Sequence, residues 1–221
     1  MPSSDKEQSV VVLADKVRLQ GMLGVPAKPS GVVLFAHGSG SGRFSPRNTF
    51  VARVLQQGGL ATLLIDLLEE WEAEDRRKVF DIDLLADRLL AATRWLAQDP
   101  RTRGLRLGYF GASTGAGAAL QAAARSPEAA AAVVSRGGRP DLAAPYLPNV
   151  TAPTLLIVGG YDVPVIEMNE EALALLTCPK ELIIVPKASH LFEEPGTLEQ
   201  VAEHALRWFV RYLTPTHEAA R

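Results

Sequence analysis

The 221-residue chain holds a single cysteine, Cys178, so no disulfide can form within it. A lone thiol suits a reducing compartment. No apolar run approaches the roughly 18 residues that a membrane span requires. The first residues, Met1-Pro2-Ser3-Ser4-Asp5-Lys6-Glu7-Gln8, lack the basic-then-apolar order of a secretory signal. Neither sign of charge dominates: 23 Lys and Arg face 25 Asp and Glu, a net charge of −2. That leaves no field to draw nucleic acid or an anionic membrane. No His, Cys, Asp or Glu grouping has the spacing of metal ligands. These absences lead to the expectation of a cytoplasmic protein acting on small molecules without nucleic acid, membrane, metal or other cofactor. Monomer and homodimer fit the composition equally well.

Hydrophobic residues make up 47% of the chain and charged residues 22%, ordinary usage for a globular protein. The length suits one α/β domain spanning 1–221, with 1–8 and 214–221 read as tails. Ser9 to Leu13 and Lys16 to Val25 read as strands of an antiparallel hairpin turning at Ala14-Asp15. Unbroken apolar runs follow at Val32–Ala36, Leu60–Ile65, Leu105–Phe110, Ala131–Val134, Thr154–Val158 and Leu182–Val185. Runs of that length and β-branched content suit strands buried on both faces. Between them, Ile82, Leu85, Leu89, Ala92 and Leu96 form one helical stripe, as do Leu198, Val201, Ala205, Trp208 and Tyr212. Ser45-Pro46 reads as a helix start, N-cap then proline, running to about Gln57. Alternating strands and helices predict a doubly wound, mostly parallel sheet with an N-terminal antiparallel hairpin. Ligands of such sheets bind beyond the carboxyl ends of the strands.

At one such end stands Gly111-Ala112-Ser113-Thr114-Gly115, a G-x-S-x-G between a strand run and an alanine-rich helical run. A turn that sharp tolerates only small neighbours and holds the serine hydroxyl out over a helix N-terminus. A serine needs a base to become a nucleophile. Among His37, His190, His204 and His217, His190 is the best placed, in the loop after the run Leu182–Val185. His204 lies inside the last helix and His217 in a polar tail. The base needs a carboxylate to orient it, and Asp162 follows the run Leu155–Val158 through Gly159-Gly160-Tyr161. Ser113, Asp162 and His190 each follow a different strand, in the chain order Ser, Asp, His. For the oxyanion, one donor is the backbone N–H of Thr114. The other is assigned to Ser39 in the loop His37-Gly38-Ser39-Gly40-Ser41-Gly42, with His37 supporting that loop.

With these residues the chain resembles an α/β-hydrolase and, within that superfamily, the small lidless group related to dienelactone hydrolase. The likeness spans the hairpin, the His37-Gly38 loop, the Gly111–Gly115 elbow, Asp162 and His190. It implies a serine esterase that cleaves small carboxylic esters through an acyl-enzyme. One departure stands out: dienelactone hydrolases proper carry cysteine as nucleophile, whereas Cys178 here precedes Pro179 in a turn. Ser113 therefore favours an ordinary ester over dienelactone itself. Thioesterase, lactonase or peptidase action would use the same triad, and a catalytically silent hydrolase fold acting as a binding protein is a further alternative.

The short interval between Val134 and Ala152, where larger relatives insert a lid, predicts an open site. Arg136, Arg139 and Arg43 are candidates to grip a substrate carboxylate. The competing expectation is that they pair with Asp141 or with Glu193-Glu194. Trp71, in the acidic stretch Glu69–Asp75, reads as a partly buried packing residue. Dinucleotide binding is the remaining alternative, because Gly38-Ser39-Gly40-Ser41-Gly42 follows a strand and Asp66 ends the next. That pattern fails at Arg43, which stands where the third glycine belongs.

Overall fold

A computed structural model describes residues 7–215. The expectations for 1–6 and 216–221, His217 among them, lie outside the described residues. Eight strands form one sheet: β1 (Gln8–Ala14), β2 (Val17–Gly24), β3 (Val32–Ala36), β4 (Ala61–Ile65), β5 (Leu107–Ala112), β6 (Ala132–Arg136), β7 (Thr154–Gly159) and β8 (Lys180–Val185). Their order is β1-β2-β4-β3-β5-β6-β7-β8. Strand β2 runs antiparallel to β1 and β4, and the remaining neighbours pair in parallel. This is the α/β-hydrolase arrangement expected from the sequence. Gln8, expected in a tail, instead opens β1 opposite Leu23 and accepts a hydrogen bond from Arg101 at 2.6 Å. At the other end Thr214 donates its hydroxyl to that of Ser30.

The helices are α1 (Pro46–Gln57), α2 (Glu70–Ala73), α3 (Arg76–Val79), α4 (Ile82–Gln98), α5 (Thr114–Arg125), α6 (Val163–Leu175) and α7 (Thr197–Leu213), with a 3-10 segment at Pro140–Asn149. Because successive strand residues point to opposite faces, the sheet splits the core in two. Leu34, Leu63, Tyr109, Val133 and Leu156 pack with α4 and α5. Val33, Phe35, Phe110, Val134 and Leu155 pack with α1 and α7. Helix α7 begins at Gly196, which offers no capping side chain. It buries Val201, Ala205, Trp208, Phe209 and Leu213 instead. A cap adds about 1 kcal/mol and each large buried side chain about 1.5–3 kcal/mol, so packing holds this helix in place.

Candidate active site

The residues singled out in the sequence gather along the carboxyl edge of β3, β5, β6, β7 and β8. Ser113 leaves β5 with φ 50° and ψ −123°, a region a residue with a side chain seldom occupies. The flanking glycines explain how the turn closes. A Cβ on Gly111 would lie 2.4 Å from the Cα of Ala116, and one on Gly115 would lie 2.3 Å from the carbonyl oxygen of Ala36. The turn is tied to its neighbour: Ser113 N–H donates to the Arg136 carbonyl at 3.3 Å, and Arg139 N–H donates to the Ser113 carbonyl at 3.0 Å.

His190 and Asp162 meet between two loops. Nδ1 of His190 lies 2.6 Å from Oδ2 of Asp162. A carboxylate only accepts, so Nδ1 carries the proton and Nε2 is left with its lone pair. The β7 end is pressed onto the histidine loop, since a Cβ on Gly159 would lie 2.4 Å from the Ala188 carbonyl oxygen. Tyr161 N–H donates to that same carbonyl at 2.9 Å. Glu194 closes the loop by accepting from the Ser189 N–H at 2.9 Å and from its hydroxyl at 3.2 Å. These bonds hold the Glu194 carboxyl below its ordinary range, the Ser189 N–H contributing most. His190 packs against Gly137, where a Cβ would lie 3.5 Å from its Cε1. Ser113 and His190 thus meet the same short backbone segment, Arg136–Gly137.

The loop His37-Gly38-Ser39-Gly40-Ser41-Gly42 has its own fastening. Leu67 N–H donates to Nε2 of His37 at 3.0 Å, and Nδ1 of His37 faces the Gly38 carbonyl at 3.0 Å. One ring nitrogen must accept and the other donate, so the imidazole is neutral, and burial pushes its pKa below the ordinary value. His37 therefore holds the loop and has no nitrogen free for proton transfer. Gly38 brings the loop against Ser113, where a Cβ would lie 3.0 Å from the Ser113 Cβ. Thr114 heads α5, so its N–H has no intrahelical acceptor. The Ser39 N–H donates to Oγ1 of Thr114 at 3.0 Å. That hydroxyl is buried, and among the described residues no acceptor takes its own proton.

The arginines divide. Arg139 makes a two-pronged pair with Asp141, both contacts at 2.8 Å. Arg43 pairs with Asp66 through its backbone N–H and its guanidinium, and that pairing occupies the acid a ribose would need. Among the described residues Arg136 has no carboxylate partner. It is 5% exposed, and its Nη2 donates to Oδ1 of Asn48 at 3.1 Å. Arg47 and Asn48 belong to this site, yet the sequence marked them only as part of a helix start. A cavity of about 1000 Å³ opens beside Gly38, Ser39 and Thr114 and is walled by Arg47, Phe44 and Trp71. Trp71, expected to pack, is 61% exposed. Its indole N–H donates to Glu69 at 2.7 Å and Lys78 lies 3.9 Å over its ring, so it rests at the rim without burial. Behind it, Arg88 donates to Glu72 at 2.8 Å and to the Leu67 carbonyl at 2.8 Å, with the Glu72 carboxyl held at about 2, chiefly by Arg88. Among the described residues no cluster of three His, Cys, Asp or Glu side chains suits a metal. Nor is any described helix long and apolar enough to cross a membrane.

Comparison with known proteins places these features. The model of the dienelactone hydrolase family matches residues 19–215. A crystal structure of dienelactone hydrolase from Anabaena variabilis is 61% identical, covers 94% of this chain and 98% of its own, and superposes with a TM-score of 0.91. A serine hydrolase without a lid from Xanthomonas campestris shares the fold at 21% identity, with a TM-score of 0.77 over 96% of this chain and 97% of its own. A Mycobacterium tuberculosis protein, provisionally named a phosphoribosyl transferase, is 57% identical over 94% of this chain and 47% of its own length. The chain spans about half the length of the curated relatives it matches.

Proposed function

The chain belongs to the dienelactone hydrolase family, with an α/β-hydrolase fold, and from that premise we propose that it cleaves small carboxylic esters through an acyl-enzyme on Ser113. His190 Nε2 takes the Ser113 proton as Oγ attacks the ester carbonyl, and Asp162 stabilises the imidazolium that forms. The negative charge arising on the carbonyl oxygen falls to the N–H of Thr114; the Ser39 N–H, expected from the sequence to be the second donor, is engaged with the Thr114 hydroxyl at 3.0 Å. The Thr114 hydroxyl takes the place of that second donor: it accepts from Ser39, so its own proton is free for the oxyanion. Collapse releases the alcohol with the proton held by His190. Water, activated by the same histidine, then frees the acid.

The observation that carries this reading is the 2.6 Å Asp162–His190 pair, set against the same Arg136–Gly137 backbone that binds the strained Ser113. Serine at this position favours an ordinary ester over dienelactone. The short interval after β6, taken up by the 3-10 segment at Pro140–Asn149, favours small or accessible esters. The mechanism needs no metal or cofactor and no nucleic-acid or membrane partner, and the single thiol of Cys178 fits a cytoplasmic setting. The transferase name of the mycobacterial relative attaches to a protein about half of which this chain matches, and it is not carried over.

A fluorophosphonate probe followed by peptide mapping tests the proposal without knowledge of the substrate. Label is expected on the peptide holding Ser113 and absent from Ser113→Ala. An unlabelled wild type, or a Ser113→Ala variant that still turns over 4-nitrophenyl acetate, overturns the reading.

A further inference from the structure

We propose that Asn169 is a positioning residue for proton transfer between Ser113 and His190, acting through the Gly137–Gly138 backbone that joins their surroundings. That role rests on the reading of Ser113 as nucleophile. Asn169 lies within α6 and is fully buried. Its Nδ2 donates to the Val165 carbonyl at 2.8 Å and to the Gly138 carbonyl at 3.1 Å. Both partners only accept, which fixes the amide with its nitrogen towards them. Oδ1 is left buried without a donor among the described residues. An orphaned polar atom is destabilising, and asparagine is a weaker helix former than leucine or alanine. An apolar side chain would serve the core better here, so the compensating gain lies in what the amide holds.

It holds the turn after β6. Gly137 has φ 50°, and a Cβ there would lie 3.2 Å from the His190 carbonyl oxygen and 3.6 Å from its Nδ1. Gly138 lies over Ser135, where a Cβ would overlap the Ser135 Oγ. Ser113 is bonded to both flanks of the same turn, its N–H to the Arg136 carbonyl and its carbonyl to the Arg139 N–H. The Gly137 N–H ties the turn to β7 by donating to the Ile157 carbonyl at 2.8 Å. Two glycines carry no side chain that packing could grip. Among the described residues, Asn169 gives the one side-chain hydrogen bond to their backbone.

Helix α6 thereby reaches all three residues of the proposed triad. Asp162 is its N-cap and holds Nδ1 of His190. About two turns further along, Asn169 holds the backbone against which His190 and Ser113 rest. Ser113 Oγ must stand within hydrogen-bond reach of His190 Nε2 for the proton to pass. Misplacing reacting groups by about 1 Å can cost about a hundredfold in rate, and contacts of this supporting kind are what fix such a geometry. Freed from Asn169, the glycine turn shifts relative to Asp162, and the Ser113–His190 separation shifts with it. The cavity beside Gly38, Ser39 and Thr114 keeps its shape, so substrate binding is spared.

The test follows 4-nitrophenyl acetate, with active sites counted by fluorophosphonate labelling to completion so that kcat refers to folded enzyme. Asn169→Leu keeps the volume and removes the donor. Its kcat is expected to fall about tenfold to a hundredfold, with KM within about twofold of wild type. Thr93→Val, which removes a hydrogen bond to the buried Tyr109 hydroxyl away from the site, should lower Tm and leave kcat unchanged. Asn169→Asp supplies the rescue. Ionised, the new carboxylate repels the Gly138 carbonyl; protonated, its O–H can donate there, and burial raises the pH at which it takes up the proton. The ratio of its kcat to that of wild type should therefore rise as the pH falls, because the titration of His190 is common to both and cancels. The same ratio for Asn169→Leu should stay flat. If Asn169→Leu does not fold, the Asn169→Asp ratio decides. A wild-type kcat in Asn169→Leu, a loss confined to KM, a flat ratio for Asn169→Asp, or an equal kcat loss in Thr93→Val overturns the role. In each of those cases an inactive Ser113→Ala variant leaves the nucleophile reading standing, whereas an active one removes both.

Discussion

The Nδ1 atom of His190 and the Oδ2 atom of Asp162 lie 2.6 Å apart, although 28 residues separate them. Two loops are bent to bring this about: Gly159 lets β7 touch the Ala188 carbonyl, and Glu194 holds Ser189 from the far side. The Asp162 side chain is 14% exposed and that of His190 is 38% exposed, so the pair is shielded on the carboxylate side and open on the imidazole side.

That asymmetry gives the first prediction. Asp162→Asn keeps the shape but presents an amide that can donate to Nδ1, which then favours the tautomer whose Nε2 is protonated. We expect kcat for 4-nitrophenyl acetate to fall by roughly 10³–10⁴-fold, with a Tm close to wild type. A loss below tenfold would place the orienting acid elsewhere, at Asp66 or Glu193.

Strain at Ser113 gives the second. Backbone of this kind costs about 1–3 kcal/mol in a residue with a side chain, and glycine escapes that cost while losing about 0.5–1 kcal/mol through its freer unfolded chain. Ser113→Gly should therefore be more stable than Ser113→Ala by about 1 kcal/mol in denaturant unfolding, and both should be inactive. Equal stability of the two variants would show that the turn carries no strain.

Much of this site was legible in the sequence because its parts are local. The G-x-S-x-G turn is written in five adjacent residues, and Ser113, Asp162 and His190 each follow their own apolar run. What escaped depends on distant approach. Asn48 looks like part of a helix start, and its meaning comes from contact with Arg136, 88 residues further along the chain. The spacing from Asp162 to His190 leaves room for a strand–helix unit, but no apolar stripe marks α6 itself: within it only Val165, Asn169 and Ala172 are buried, while Val163 and Leu175 face outward. Trp71 was misjudged for a related reason. Its exposure is set by Glu69 and Lys78 satisfying the indole at the surface, and loop composition does not encode that.

Thr114 supplies the third prediction. Thr114→Val preserves the side chain's shape but removes the hydroxyl that accepts from Ser39 and that, in the proposed mechanism, donates to the oxyanion. Loss of a principal oxyanion donor costs about 10²–10³-fold in kcat. For this hydroxyl we expect about tenfold to a hundredfold, with little change in KM. Thr114→Ser should recover most of the rate. A valine variant with wild-type kcat would remove the hydroxyl from the mechanism.

His37 yields a pH dependence of stability rather than of rate. Folded, it is held neutral with its pKa lowered by burial, because Leu67 N–H occupies one ring nitrogen and the Gly38 carbonyl the other. Unfolded, it takes a proton near the ordinary histidine value of about 6.5. Above that pH both states are neutral and the residue adds no slope. Below it the unfolded chain binds a proton that the folded chain refuses, so stability falls as the pH drops from about 6.5 towards the folded pKa, by at most about 1.4 kcal/mol per pH unit. His37→Asn should lower Tm at pH 7.5 through loss of one loop bond, yet show a shallower decline of Tm between pH 6.5 and 5 than wild type. Parallel Tm curves for the two proteins would mean that His37 accepts its proton in place, and the loop would then be fastened by some other contact.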